Sequence, residues 1–245
     1  MKKKLLASVL VGGGVALFSA GASASYWEEG TCAPDHVDGP APCIQATDED
    51  GKTYFFNGDG AHAGDWHGRP DTGSPFTFKG STDLKCGVAA LSCDLALNGN
   101  VRKDFDPAAG EWKIGIQVTS ANVTGSVLCS AVTVKGFPWY VDQDANDGPY
   151  TSAVGVGIPY TYGGTPAISF MGSIGPIGIS VPLLGINVND GHMHKVFYNN
   201  QDTFSFGGAN GDSTIYNSSE GSTGCTVSGD LKLQPPMERL EILPL

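Results

Sequence analysis

The chain of 245 residues has little positive charge. It carries 14 lysines and arginines against 25 aspartates and glutamates, a formal net charge of −11 at pH 7. Nucleic acids and anionic lipid surfaces are themselves negative, so they repel a protein of this charge. We therefore expect no nucleic acid among its partners.

Long apolar runs are missing after position 24. Every later apolar stretch is broken by glycine, proline or a polar residue before the roughly 18 residues that a membrane-spanning helix needs. The first 24 residues differ, because Lys2, Lys3 and Lys4 precede an apolar stretch that ends in small residues around Ala24. This order predicts a Gram-negative type signal peptide over 1–24. We expect a mature chain that begins near Ser25, has no transmembrane segment and is periplasmic or extracellular.

A catalytic motif is also lacking. The sequence around Ser213 has no glycine-flanked nucleophile elbow, and the carboxylates are scattered through glycine-rich loops. We predict that the protein is not an enzyme and carries no cofactor. A secreted hydrolase of lipid or polysaccharide, using Ser213 or His192, is the first alternative function.

Three small groups have side chains of the metal-ligand type. They are His192 and His194 with Asp190, His62 and His67 with Asp65, and Asp142 with Asp144 and Asn146. The first is an H-x-H pattern, which places both imidazoles on one face of a strand, but a third ligand is not evident nearby. We interpret both histidine groups as solvated loop residues, and the acidic group departs from EF-hand spacing. No metal site is predicted. A calcium- or carbohydrate-binding module, with Trp66, Trp139 or Tyr140 stacking on sugars, is the second alternative.

The apolar residues follow a period of two. The chain has 35 glycines and 15 prolines, and no mature segment keeps a helical apolar period over three turns. Alternation over 93–98, 112–119 and 225–233 predicts strands, and 54–56, 76–78 and 202–207 give shorter signals. The loop at 104–110 predicts a hairpin. We predict an all-β fold, an antiparallel β-sandwich or open barrel stabilised by disulfides.

The chain divides into two parts by composition. Residues 25–74 are rich in Asp, Gly, His and Pro, which predicts a loop-rich N-terminal region before a sandwich-like domain at 75–245. All six cysteines follow the signal peptide, so we expect disulfides. A local bridge between Cys32 and Cys43 would stabilise the fold by about 3 kcal/mol on the chain-entropy estimate.

Residues 148–189 contain no charged side chain. Frequent proline disfavours both a long helix and a central strand here. One interpretation is a set of buried edge strands and tight turns. The other is an exposed apolar patch that meets a partner or an oily phase, with Ile158, Phe170, Ile174 and Ile177 as candidates.

Several segments resemble the family of protein activators of alkane oxidation. They are 80–84, 92–101, 118–126, 128–130, 137–139 and the tail 224–231 with Pro235. The resemblance covers about half of the mature chain. It implies an exported bacterial protein that assists growth on hydrocarbons, with no catalytic residues to carry over.

The cysteines match the family frame in part. Cys93, Cys129 and Cys225 fit it, whereas a further cysteine expected between the last two is absent, and Cys86 is the candidate replacement. Three pairings of these four are possible. We favour Cys93 with Cys129 and Cys86 with Cys225.

Together these observations predict a secreted, non-enzymatic accessory protein of hydrocarbon utilisation, of biofilm and surface association, or of both. It would act through an apolar surface. Its expected partners are hydrocarbon or another hydrophobic surface, matrix components or copies of itself.

Overall fold

The computed structural model describes residues 26–32, 42–56, 64–143, 150, 157–160, 170–207 and 212–243. The predicted signal peptide lies outside these residues, as do His62, Asp144 and Asn146. The described strands are β1 Glu28–Glu29, β2 Cys43–Asp48, β3 Thr53–Phe56, β4 Phe76–Cys86, β5 Ala89–Asp106, β6 Glu111–Thr124, β7 Thr133–Lys135, β8 Trp139–Gln143, β9 Ile158–Tyr160, β10 Phe170–Val181, β11 Ile186–Tyr198, β12 Thr203–Phe206, β13 Thr214–Tyr216, β14 Ser222–Leu233 and β15 Met237–Leu243. Two short 3₁₀ helices, Cys129–Ala131 and Pro182–Leu184, lie between strands.

Eight strands form a closed antiparallel barrel. Their order is β4-β5-β6-β8-β10-β11-β12-β14, and β14 pairs back onto β4. The all-β prediction is confirmed, but the barrel is closed and not open. Because β14 is hydrogen-bonded to both β12 and β4, the ring has no free edge between its first and last strands.

The alternating segments are strands, as predicted. The strand at 93–98 belongs to β5 and the one at 112–119 to β6, and these two form the predicted hairpin. The carboxylate of Asp106 organises its turn by accepting hydrogen bonds from the backbone N–H groups of Ala108 and Ala109. Alternation therefore identified β5, β6 and β14 correctly, since one face of each of these strands meets the core.

A second sheet of four strands, in the order β1-β3-β2-β15, lies beside the barrel. Three of its strands come from the region predicted to be loop-rich, and the fourth comes from the C-terminal end. Asn200 ties this sheet to the barrel, because its side chain donates to the carbonyl of Ile242 and accepts from the N–H of the same residue. The N-terminal segment is thus ordered by a strand that lies almost 200 positions further along the chain.

The uncharged segment contains a strand of the barrel wall, although proline was expected to prevent one. Strand β10 includes Pro176 and is paired on both sides. On one side its partner is β8 up to Gly175 and β7 from Gly178 onward. Pro176 lies at this change of partner, where its missing N–H interrupts no ladder.

Three disulfides join Cys32 to Cys43, Cys86 to Cys225 and Cys93 to Cys129, which is the pairing favoured from the sequence. All six cysteines are bonded. Such bridges indicate an oxidising compartment, periplasmic or extracellular. Within the described ranges, no helix has the length and apolar character needed to cross a membrane.

Candidate functional site

Three loops leave the barrel at the same end. The hairpin turn at Gly87 and Val88 joins β4 to β5. Strand β6 runs antiparallel to β5, and its last residue, Thr124, pairs with Asp94 near the start of β5, so the loop after β6 leaves from the same end. Strand β8 is antiparallel to both β6 and β10, which makes β10 parallel to β6. The turn after β10, residues 182–185, therefore leaves from this end too.

These loops expose large apolar side chains, which we call the apolar rim. Val88 is fully exposed, Val127 is 84% exposed and Leu183 is 72% exposed, while Leu128 and Leu184 are each about 40% exposed. The loops at 87–88, 125–128 and 182–185 carry no charged residue. Exposed apolar patches of this kind are typical of interaction surfaces in soluble proteins.

Two disulfides hold the rim loops. Cys86 directly precedes the turn with Val88 and is bonded to Cys225 on β14. Cys129 directly follows Leu128 and is bonded to Cys93 on β5. Each bridge thus fastens the base of an exposed loop to the barrel wall.

The loop after β6 also reaches the third rim loop through main-chain pairing. It leads into β7, in which Thr133 pairs with Ser180 and Lys135 with Gly178. Ser180 lies two residues before the turn that carries Leu183. The segments that follow Val127 and precede Leu183 are therefore neighbours in the same sheet.

The four residues predicted to form the apolar surface do not form it. Ile158, Phe170, Ile174 and Ile177 are all buried and belong to the core. Strand β10 is covered on both faces, so alternation along it does not leave one face exposed. Among the described residues of the uncharged segment, the exposed large apolar side chains are Met171 on β10 and Leu183 and Leu184 in the turn after it.

The prediction that His192 and His194 are solvated loop residues is wrong. His192 and His194 lie on β11, and each is 2% exposed. Nε2 of His192 lies 3.0 Å and Nε2 of His194 lies 2.9 Å from Oε2 of Glu220. Asp190, the third ligand considered from the sequence, is exposed and takes no part in this cluster.

Glu220 is ionised in this setting. Desolvation opposes its negative charge, but hydrogen bonds from His194 and His192 and from the backbone N–H of Tyr150 outweigh that effect and lower its pKa to about 2. Nothing in the sequence pairs Glu220 with the histidines, since more than 25 positions separate them. The turn between β13 and β14 brings them together.

His67 and Trp66, two other candidates from the sequence, lie in packed aromatic surroundings. His67, likewise predicted to be solvated, is buried with its ring 3.9 Å from that of Phe56, and its backbone pairs with Val101. The Arg102 guanidinium lies 4.6 Å from the ring of Trp66. Aromatic and cationic side chains in such packing stabilise the fold.

Of the other aromatic candidates, Tyr140 lies beside Trp66, with ring centroids 5.9 Å apart. Trp139 is buried and stacked on Phe137, and Asp142 is buried on β8. Ser213 precedes β13, and its carbonyl accepts a hydrogen bond from the N–H of Val227. This bond extends the pairing of β13 with β14 by one residue.

Comparison with known proteins gives one match. The model of the family described as alkane oxidation protein activator PraA/PraB-like matches residues 59–240. Neither the curated proteins nor the solved structures give a significant match. The matched range includes the whole barrel and both disulfides that hold the rim. Since it spans about three quarters of the chain, the protein belongs to the PraA/PraB-like family of alkane oxidation protein activators.

Proposed function

We propose that this protein is an exported, non-enzymatic accessory factor of alkane oxidation that adsorbs to the surface of liquid hydrocarbon through its apolar rim. The observation that carries the proposal is the placement of five exposed apolar side chains on three uncharged loops at one end of the barrel. The family description as an activator, and not as a catalyst, supports the same view.

The energy available at the rim is sufficient for adsorption. Burial of one exposed valine or leucine side chain contributes about 1.5 to 3 kcal/mol. Because Leu128 and Leu184 are already more than half buried, the five side chains together contribute roughly 5 to 10 kcal/mol before the entropic cost of association. The remaining surface carries a net negative charge, which keeps the body of the barrel in water while the rim enters the oil.

An internal binding site for hydrocarbon is the competing possibility. A cavity lies between the barrel and the four-stranded sheet. Its lining is almost wholly apolar and includes Phe76, Phe78, Val101, Tyr198 and Leu240. The volume of the cavity is about 40 Å³, room for roughly three or four waters. A long alkane does not fit in this space, which favours the rim.

The proposal is tested by partition of the mature protein between buffer and a hexadecane emulsion. A triple variant with Val127→Ser, Leu183→Ser and Leu184→Ser removes three rim side chains that contribute little to the core. We expect its partition into the emulsion to fall by at least about tenfold, because each tenfold step corresponds to about 1.4 kcal/mol.

Phe105→Ser is the matched control. Phe105 is 44% exposed, but it lies near the end of β5 at the opposite end of the barrel. We expect this variant to partition like the parent. Equal partition of the parent and the folded triple variant would overturn the proposal. A third outcome is that the parent self-associates, the triple variant does not, and both partition equally. This result would show that the rim mediates contact between copies of the protein and not adsorption to hydrocarbon.

A further inference from the structure

A buried cluster on the outer wall of the barrel has the composition of a metal site. His192 and His194 alternate with Met193 along β11, so the two imidazoles share one face and Met193 lies on the other. Met193 belongs to the hydrophobic core. The imidazoles therefore point away from the core, yet both are nearly inaccessible to solvent.

Aromatic side chains account for part of this burial. The ring of His192 is stacked with those of Tyr150 and Tyr216, with centroid distances of 5.3 and 5.9 Å and interplanar angles of 14° and 23°. The ring of His194 lies 5.1 Å from that of Tyr216. This packing restricts both imidazoles to one orientation before any ligand is bound.

The Glu220 carboxylate reaches the imidazoles from a turn whose own hydrogen bonds do not involve the histidines. Oδ1 of Asn217 accepts hydrogen bonds from the N–H groups of Ser219 and Gly221, and the carbonyl of Asn217 accepts one from the N–H of Glu220. Glu220 itself has a left-handed backbone, with φ at 62°. The turn thus holds Glu220 over β11.

Three ligand atoms converge as a result. Nε2 of His192, Nε2 of His194 and Oε2 of Glu220 all lie within 4.8 Å of one another. Zinc bonds of about 2.0 to 2.2 Å to nitrogen and oxygen place neighbouring ligands roughly 3 Å apart. The two N–O separations in the cluster, 3.0 and 2.9 Å, are close to that spacing, whereas the imidazole nitrogens, up to 4.8 Å apart, must approach each other when an ion binds.

Further contacts orient the ligands as the outer shell of a metal site does. Oγ of Ser173 lies 2.7 Å from Nδ1 of His194. Without metal, Nε2 of His194 donates its proton to Glu220, whereas in the metal-bound form the ring proton is on Nδ1, where Ser173 can accept it. The backbone N–H of Tyr150 donates to Oε1 of Glu220, which leaves Oε2 as the ligand. The Glu220 side chain is 27% exposed, so one side of the cluster is open to a fourth ligand such as water.

We propose that His192, His194 and Glu220 form a binding site for one divalent transition-metal ion of the zinc type. Two imidazole nitrogens and one carboxylate oxygen suit zinc and its neighbours, whereas calcium requires six or more oxygen ligands. The bound ion would join β11 to the turn between β13 and β14. The site is independent of the apolar rim and of its proposed role.

The test uses the mature protein stripped of metal with a chelator. Zn²⁺ alone is titrated by calorimetry, bound zinc is counted by elemental analysis, and Co²⁺ is used to record visible absorption. We expect one zinc ion per chain, a rise in Tm that the chelator reverses, and a cobalt spectrum typical of nitrogen and oxygen ligands.

Glu220→Gln keeps the shape of the side chain and removes the anionic ligand, and we expect it to weaken zinc binding by more than about 100-fold. Ser173→Ala leaves all three ligands in place and is expected to weaken binding by about tenfold through the orientation of His194. Asp190→Asn is the matched control on the same strand and should bind like the parent. If Glu220→Gln does not fold, the zinc affinity and the cobalt spectrum of Ser173→Ala still test whether the ion binds at this site.

Absence of zinc binding by the folded parent would overturn the proposal. Binding that neither Glu220→Gln nor Ser173→Ala weakens would place the ion elsewhere and overturn it equally. Hexadecane partition should not change with zinc, so failure here and failure of the rim proposal are separate outcomes.

Discussion

Cys93 and Cys129 are joined by a disulfide across 36 positions of sequence, with a Cα–Cα distance of 5.6 Å. Cys93 lies on barrel strand β5, and Cys129 begins the 3₁₀ helix directly after the rim residue Leu128. The bond therefore fixes an exposed apolar loop to a rigid wall.

Removal of this bond by Cys93→Ser with Cys129→Ser should lower the free energy of unfolding by about 4 kcal/mol, because a loop of this length is no longer closed in the unfolded chain. The corresponding loss in Tm is roughly 10 °C, measured by thermal unfolding. Hexadecane partition at a temperature where the variant is folded should fall as well, because the rim loop is released.

Cys32→Ser with Cys43→Ser is the control for that prediction. It opens a bridge that spans 11 positions and lies outside the rim. We expect a loss of about 3 kcal/mol with unchanged partition. A partition loss of the same size in both variants would argue against a specific role of the Cys93–Cys129 bond.

Substitution of a core leucine should affect stability alone, and substitution of a rim leucine should affect adsorption alone. Leu231 is completely buried on β14, whereas Leu183 is exposed on the rim. Leu231→Ala should cost about 2 to 5 kcal/mol of stability through the cavity that it leaves, with partition unchanged while the protein is folded. Leu183→Ala should change stability by less than about 0.5 kcal/mol and reduce partition. Denaturant unfolding measures stability and the emulsion assay measures partition. If Leu231→Ala reduced partition and Leu183→Ala did not, adsorption through the apolar rim would be contradicted.

Gly172 permits close approach of two barrel strands. A Cβ at this position would lie 2.5 Å from the carbonyl oxygen of Asp142 and 2.8 Å from a methyl group of Val141, both on β8. Gly172→Ala should therefore push β8 and β10 apart and cost about 1 to 3 kcal/mol. A folded variant with the parent's denaturation midpoint would show that the strands can move without cost.

Asp202 makes stability depend on pH in the acid range. A hydrogen bond from Asn199, followed by one from Thr203, lowers its pKa below the usual 3.8 against the effect of desolvation. Since the pKa is lower in the folded state, the contribution is present above about pH 4 and is lost as the pH falls through the folded value.

The corresponding measurement is Tm against pH for the parent and Asp202→Asn. The parent should be the more stable at pH 5 to 7, and the difference should shrink as the pH is lowered below 4. Asp190→Asn, at an exposed position, is the control and should follow the parent. A difference between parent and Asp202→Asn that stays constant down to pH 2.5 would contradict the role of the charge.

Much of the barrel wall could be predicted from local pattern. Strands such as β5 and β6 bury one face, so the apolar side chains alternate and identify them. The pattern failed at β10, which is buried on both faces and contains Pro176. Only the exchange of β8 for β7 as its neighbour explains how proline is tolerated there.

The apolar rim and the histidine cluster were harder to predict from local sequence patterns. Leu183 and Leu184 of the uncharged segment are exposed, but the residues singled out as its surface, Ile174 and Ile177 among them, are core residues. A lack of charge is common to buried strands and apolar turns, so composition alone does not separate them. For the histidines, the H-x-H spacing placed both imidazoles on one face of a strand, and no local signal could supply Glu220.

The amino-acid order by itself determined the β class, the hairpin of β5 and β6 and the preference for an oxidising compartment, because alternation, turn residues and cysteine content act over short distances. Closure of the barrel by β4 and β14, the position of the rim and the meeting of Glu220 with His192 and His194 were decided only by the tertiary structure. Each of these depends on pairing between segments far apart in the chain, where burial on a common framework, and not local preference, supplies the free energy.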